Sequence, residues 1–426
     1  MPVYQRIVPI AALFTGFIVL CLGHGLQSVL LPARATLQHY SDLMMGALMS
    51  AYYAGFIGGT FVCPWLIARV GHIRVFAASA AGASAIMLTH ALVPWPLPWI
   101  TLRVIYGFCL VHLYTVMESW LNSIGDKDTR GKILSVYMIA NFISMSVGQL
   151  LFFSAPVDGF ELFSIASILL SLSLFPLMLS RIIQPVAIQP PEAFGIRRLY
   201  QTSPLGMAGA LVAGLMGGAY WGLTAAYILQ TGFPQEDVAL FMAASLLGGL
   251  FAQWPLGALS DRVNRRYAIL IALSLVCLSS LMLTAATLWI FPQQAFGAAW
   301  LIAWGIVFGA GFHPFYSLCM AHANDFVPPE YFTRASAGLQ FIQSVGALIG
   351  PLIAGLLMHM LGNRMLFSYM GLLAGSFVAY TLWRMTENRI PTMAKPFRML
   401  TRTGILASLM DPRRHGGRNQ NGMQEM

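Results

Sequence analysis

Apolar runs of about 20 residues follow one another along almost this whole chain, parted by short polar breaks. A helix of that length, rising 1.5 Å per residue, matches the roughly 30 Å hydrocarbon core of a bilayer. Inside lipid every backbone N–H and C=O must find its partner within the protein. Runs without strict alternation of apolar and polar residues can meet that demand only as helices. Of the 426 residues 58% are hydrophobic and 9% are charged, which fits a membrane protein and no ordinary soluble domain.

Twelve spans are expected, at 7–31, 43–67, 75–95, 99–121, 133–155 and 161–180, then 204–230, 237–259, 268–290, 297–321, 334–360 and 365–384. The first run lacks a small-residue cleavage site and a second run follows closely, so it reads as a span and not a cleaved signal. Cys21, Cys63, Cys109, Cys277 and Cys319 all fall inside spans without CxxC spacing. No disulfide, metal site or cofactor is expected.

Lys and Arg are retained on the cytoplasmic side of membrane proteins. With a cytoplasmic N-terminus, that side collects 21 of the 24 basic residues, the far side keeps Arg34 and Arg364, and Arg103 lies in the membrane. The net charge of +9 therefore reports topology and contact with anionic headgroups, and not nucleic-acid binding. Both termini are expected inside, in the inner membrane.

The polar stretch from Arg181 to Pro204 divides the chain into a first bundle (1–180), a cytoplasmic linker (181–203), a second bundle (204–384) and a basic tail (385–426). The bundles echo each other. RVGHIR after the second span corresponds to DRVNRR after the eighth, and Tyr114 with Asn122 corresponds to Tyr316 with Asn324 at the same spacing. His24 and Gln27 align with the positions of Trp221 and Thr224. Duplicated halves with a mid-membrane site between them are a common transporter design. The fold class expected is an all-α polytopic membrane protein of two pseudo-symmetric six-helix bundles.

GALSDRVNRR, from Gly257 to Arg266, resembles the cytoplasmic signature of the major facilitator superfamily (MFS), in which a glycine precedes DRxGRR by four residues. The first-half copy, PWLIARVGHIR, keeps Arg69, Gly71 and Arg74 but has Ala68 where the family usually has aspartate. Arg103 with Gly107 looks like the RxxxG motif of the fourth helix, and GALIGPLIAG (Gly346 to Gly355) like a glycine-rich eleventh helix. Glu118-Ser119, Arg130-Gly131, Tyr137-Met138, the GQLL stretch Gly148 to Leu151 and Gln253-Trp254-Pro255 are similar to the YcaD-like group of bacterial transporters. The resemblance implies a secondary transporter that rocks two bundles around a cavity lined by spans one, four, seven and ten. It implies no enzymatic activity.

Arg103 and Glu118 are the two charged residues placed within the membrane, where charges are costly and usually face a cavity or a partner. Fifteen residues apart, they stand about 22 Å from each other along a helix and roughly 60° around it, so they share a face without pairing. Gly107, Leu110 and Tyr114 lie between them on that face, which is expected to line the pathway. Arg103 reads as a contact for an anion or carboxylate, as a device that perturbs a nearby acid's protonation, or as a snorkel toward the outer interface. Glu118 reads either as a proton-carrying or substrate-binding carboxylate or as a gate residue that bonds Arg69, Arg74 or Arg130.

Asp261 with Arg262, Arg265 and Arg266 can form salt bridges that differ between conformations; the plainer reading is a positive-inside anchor. His24, His112 and His313 could relay protons or simply bond neighbouring helices. Tyr220, Thr224 and Tyr227 form one polar aromatic stripe, suited to an amphiphilic substrate or to packing. The glycines of the eleventh span suit close helix approach. Within the tail, PFRMLTRTGILASLM reads as a surface-lying helix and GGRNQNGMQEM as disorder.

The function expected is secondary transport of a small solute by a monomer, coupled to protons through Glu118. No GxxxxGK[ST] loop is present, which argues against direct ATP drive. A lipid translocase or membrane sensor on the same fold is the alternative. HExxH and GxSxG are absent, which speaks against a membrane enzyme.

Overall fold

The structure, a computed structural model, describes residues 4–124, 130–179, 195–288, 297–328 and 331–386 of the 426. In chain order the α-helices are α1 (Tyr4–Leu37), α2 (Asp42–Val70), α3 (His72–Leu92), α4 (Pro96–Ile124), α5 (Arg130–Leu150), α6 (Glu161–Leu172) and α7 (Phe175–Leu179), followed by α8 (Ile196–Thr202), α9 (Pro204–Gln230), α10 (Gln235–Arg262), α11 (Arg265–Leu288), α12 (Gly297–Asn324), α13 (Phe332–Leu361) and α14 (Met365–Thr386). Among the described residues there are 12 helical stretches long and apolar enough to cross a membrane. This is the number expected from the apolar runs.

Local chemistry sets the ends of these helices. Ser41 caps α2, its hydroxyl accepting from the Met44 N–H at 3.3 Å, and Ser203 caps α9 in the same way at Gly206. The tight α2–α3 turn passes through Gly71 at φ 86°, a left-handed conformation that glycine adopts without a Cβ clash.

Three details depart from the sequence reading. The first helix continues to Leu37, six residues past the expected end. The sixth span is broken into α6 and α7. Pro176 lacks the N–H that would bond the Leu172 carbonyl and disfavours helix at the residue before it. The linker carries α8, anchored by Leu199, which is fully buried against the cluster of Ala323, Val327, Ala335 and Leu339. Residues 181–194 and the tail from 387, including both proposed tail segments, lie outside the described residues.

The packing is doubled. In the first half α1 packs on α5 and α6, α2 on α4, and α3 on α4 and α6; in the second half α9 packs on α13 and α14, α10 on α12, and α11 on α12 and α14. Lipid offers no hydrophobic drive between helices, so close van der Waals approach has to hold them. Glycines provide it: a Cβ on Gly107 of α4 would strike the Tyr52 carbonyl of α2, and one on Gly350 of α13 the Leu215 carbonyl of α9.

The halves meet along α2 with α13 and along α5 with α10. The loop between α2 and α3 and its counterpart between α10 and α11 lie at the same end of the bundle, here called the basic face. Toward the opposite face the two halves close on each other. Gly46 of α2 lies against the Pro351 carbonyl of α13, Gly355 against the Asp42 carbonyl, and Gly222 of α9 against Met49. The Gln230 amide donates to the Asp42 carboxylate at 2.7 Å across this seam.

Candidate functional site

A cavity of about 240 Å³ sits between the halves, with side chains from α1, α2, α4 and α5 on one side and α9, α10, α12 and α13 on the other. This is a broader set than the four spans expected. Of the sequence-predicted pathway residues, His24, Gln27, Arg103, Trp221, His313 and Tyr316 line it. Tyr114, Glu118, Tyr220, Thr224 and Tyr227 do not.

Arg103 is 4% exposed. Its Nε donates to the Leu48 carbonyl at 3.4 Å, its Nη2 approaches the Met49 sulfur at 3.1 Å, and its guanidinium lies 4.7 Å over the Tyr52 ring and 5.8 Å from that of Tyr106. Nη1 is buried and has no hydrogen-bond partner. The outward snorkel envisaged for Arg103 is therefore not what it does. Gly107 makes this position available, because its missing side chain lets α4 press onto α2 and bring Tyr52 beneath the guanidinium.

Glu118 is fully buried, and the Tyr137 hydroxyl of α5 donates to it at 3.0 Å. Tyr114 packs edge-on to Phe17 and His24 of α1. The face shared by Arg103, Tyr114 and Glu118 thus opens on the cavity at Arg103 and closes on neighbouring helices further along. Arg69 and Arg74, the proposed gate partners of Glu118, are exposed, Arg69 lying 5.3 Å from the Trp65 ring. The side chain of Arg130 lies outside the described residues.

The tyrosine stripe of α9 turns away from the cavity. Tyr220 stacks on Phe308 with ring centroids 5.4 Å apart, Tyr227 packs on Phe367 and donates to the Leu283 carbonyl, and Thr224 is fully buried. Trp221, one position along, faces the cavity instead. His112 bonds the carbonyl of Phe108 one turn back and lines no part of it. His313 stands at the seam, with Phe142 of the first half at 5.6 Å and Trp221 at 6.3 Å between ring centroids.

Sequence reasoning missed a polar band on the lining: Asn141, Gln253, Gln340 and Gln343, with Ser344 beside them. Gln253 is 1% exposed and its Oε1 is without a partner; the Gln340 Oε1 accepts from the Tyr316 hydroxyl at 3.1 Å. The signal was the same one that picked out Arg103, polar side chains inside apolar runs. Tyr52, Tyr53 and Phe56 of α2 also line the cavity, and nothing in an aromatic run distinguishes lining from packing.

At the basic face Arg265 is 5% exposed and binds three partners in its own half: Asp325 at 2.6 Å, Ser260 at 2.8 Å and Asp261 at 3.0 Å. Arg266 donates to the Arg384 carbonyl at 3.0 Å, Arg262 is exposed, and Gly257 is buried within α10. In the first half His72 takes the place of Arg265 and contacts Ser119 of α4 at 3.0 Å. Asp325 had drawn no notice because it lies just past the end of a span. Among the described residues no group of His, Cys, Asp and Glu could hold a metal ion.

A sequence model of the Major Facilitator Superfamily matches residues 13–283 and 206–415. The chain is 26% identical over 376 residues to the uncharacterized MFS-type transporter YcaD of Escherichia coli O7:K1 (strain IAI39 / ExPEC), covering 86% of this chain and 93% of that one. YcaD of Shigella flexneri serotype 5b (strain 8401) is 26% identical over 373 residues with the same coverage. Among solved structures, the nucleoside transporter NupG superposes with a TM-score of 0.72 at 16% identity, covering 92% of this chain and 100% of that one. An auto-inhibited POT family peptide transporter gives 0.71 at 11% identity, over 92% and 99% of the two chains. The fold and its doubled packing agree with these likenesses. The chain belongs to the major facilitator superfamily and is a multi-pass secondary transporter, not an enzyme.

Proposed function

We propose that the protein moves a small solute across the bacterial inner membrane by alternating access, its two six-span halves rocking about the central cavity. The observation that carries this reading is the seam. Backbone-to-glycine contacts and the Gln230–Asp42 bond join the halves toward the opposite face, and on this reading they form the closed gate, two surfaces that separate as units. The basic face is cytoplasmic on this reading, since arginines gather there. Protons are the coupling ion, carried by Glu118 with Tyr137 as its hydrogen-bond partner.

A cysteine at Ser344, on the cavity wall, reads out access without knowledge of the substrate. In proteoliposomes of fixed orientation, a membrane-impermeant maleimide is expected to label Ser344→Cys from either side. An Asp42→Cys/Gln230→Cys disulfide should abolish labelling from the opposite face and leave labelling from the basic face. Lowering the pH should change the labelling rate from the opposite face, and Glu118→Gln should remove that dependence. Equal labelling from both faces with the disulfide formed contradicts alternating access; an unchanged pH response in Glu118→Gln removes the coupling role.

A further inference from the structure

We propose that the cavity selects a small monocarboxylate with a flat apolar body, bound through Arg103; the inference rests on the transport reading above and names the cargo's chemistry. Arg103 supplies a permanent positive charge to the lining, and among the described residues the lining contains no Asp, no Glu and no second Lys or Arg. His24 and His313 are also on the wall. The guanidinium is held by a carbonyl, a thioether and two aromatic faces. None of these carries a formal charge. A buried cation without a counter-ion is costly, and an anion delivered to it restores both charge balance and hydrogen bonding.

The free position is Nη1, which has two N–H groups and no acceptor within reach. It sits on a residue that also lines a second, smaller pocket bounded by Leu31, Pro32, Met45 and Gly222. One guanidinium balances one negative charge. A phosphate ester carrying two would leave an excess charge buried, so a carboxylate is the better match. The rest of the wall sets the body of the ligand. Tyr52, Phe56, Phe142, Trp221 and Phe312 supply aromatic faces from both halves. The unpaired Oε1 of buried Gln253 offers an acceptor for one neutral polar group on the ligand.

Benzoate, benzamide and benzamidine have nearly the same shape and carry charges of opposite sign or none. Thermal unfolding of the purified full-length protein in detergent, titrated with each, yields their relative affinities from the stabilisation they produce. Benzoate is expected to bind about 10- to 100-fold more tightly than benzamide, the range of a charge-assisted hydrogen bond, with benzamidine weakest. Arg103→Gln should erase the advantage of benzoate, and Arg103→Lys, which keeps the charge, should retain part of it. The proposal is overturned if benzamide or benzamidine matches benzoate in the unmodified protein, if none of the three shifts unfolding, or if Arg103→Gln keeps the preference. The maleimide experiment separates the two levels: two-sided access with no charge preference refutes the carboxylate alone, whereas one-sided access that never alternates refutes transport itself.

Discussion

At the scale of single residues, the basic-face network carries a stability prediction. Arg265 and Asp325 are both nearly inaccessible to solvent and meet at 2.6 Å, whereas Asp261, the other carboxylate on Arg265, is 32% exposed. Removing one member of a buried pair costs up to about 3–5 kcal/mol when the other charge is left uncompensated, an upper bound here because Arg265 keeps Asp261 and Ser260. An exposed partner contributes about 0–1 kcal/mol. Asp325→Ala should therefore lower the midpoint of thermal unfolding in detergent far more than Asp261→Ala. Equal shifts would mean that the network is a solvated charge cluster. The cavity lining was legible where a polar side chain interrupts an apolar run, which is how Arg103, His24, Gln27 and His313 stand out; Glu118, marked by the same signal, lies outside the lining. Glu118 and Tyr114 share the helical face of Arg103 yet do not line the cavity, because helical rotation says nothing about where along the axis a cavity ends. Tyr220 and Trp221 make the same point: adjacent in sequence, one faces Phe308 and the other the cavity, and hydropathy does not separate them.

At the scale of elements, two glycines that look alike in sequence should behave differently. Gly107 lies within a half, where α4 meets α2, and Gly46 lies between halves, where α2 meets α13. Gly107→Val forces apart helices that stay together if each half moves as a unit, and is expected to cost about 1–3 kcal/mol of stability, read as a lowered unfolding midpoint. Under the proposed rocking of the halves, Gly46→Val disturbs a contact made in one of the two conformations. It should leave the unfolding midpoint nearly unchanged and open the seam, read as faster labelling of Ser344→Cys from the opposite face. A large loss of stability in Gly46→Val with no gain in labelling would identify the seam as permanent packing. The twelve spans themselves were readable because lipid imposes one length and one polarity on every helix. The break between α6 and α7 traces to Pro176, visible in the sequence but outweighed there by the apolar composition around it. Helix α8 escaped notice because its seven residues are too short for periodicity to register, and its place depends on burying Leu199.

At the scale of the whole molecule, the repeated sequence becomes a repeated set of helix pairings, and the two halves meet chiefly along α2 with α13 and α5 with α10, with α9 also touching α1 and α2, around a central cavity. Such an arrangement lets each half keep its interior while the interface exchanges one set of contacts for another. The energy required is a difference between two seams and not the unfolding of either bundle, so a bound solute can shift the balance by its differential affinity for the two states. The central claim is that closure at one face accompanies opening at the other. Its most direct test is a pair of distance measurements by double electron–electron resonance on a background lacking the native cysteines. One pair of spin labels replaces Leu43 and Thr231 at the opposite face, which spares the Gln230–Asp42 bond, and the other replaces Arg69 and Arg334 at the basic face. The account predicts two populations whose distances trade off, with the first pair short when the second is long and the reverse. Single, invariant distances at both faces, or a joint widening of the two, would contradict it.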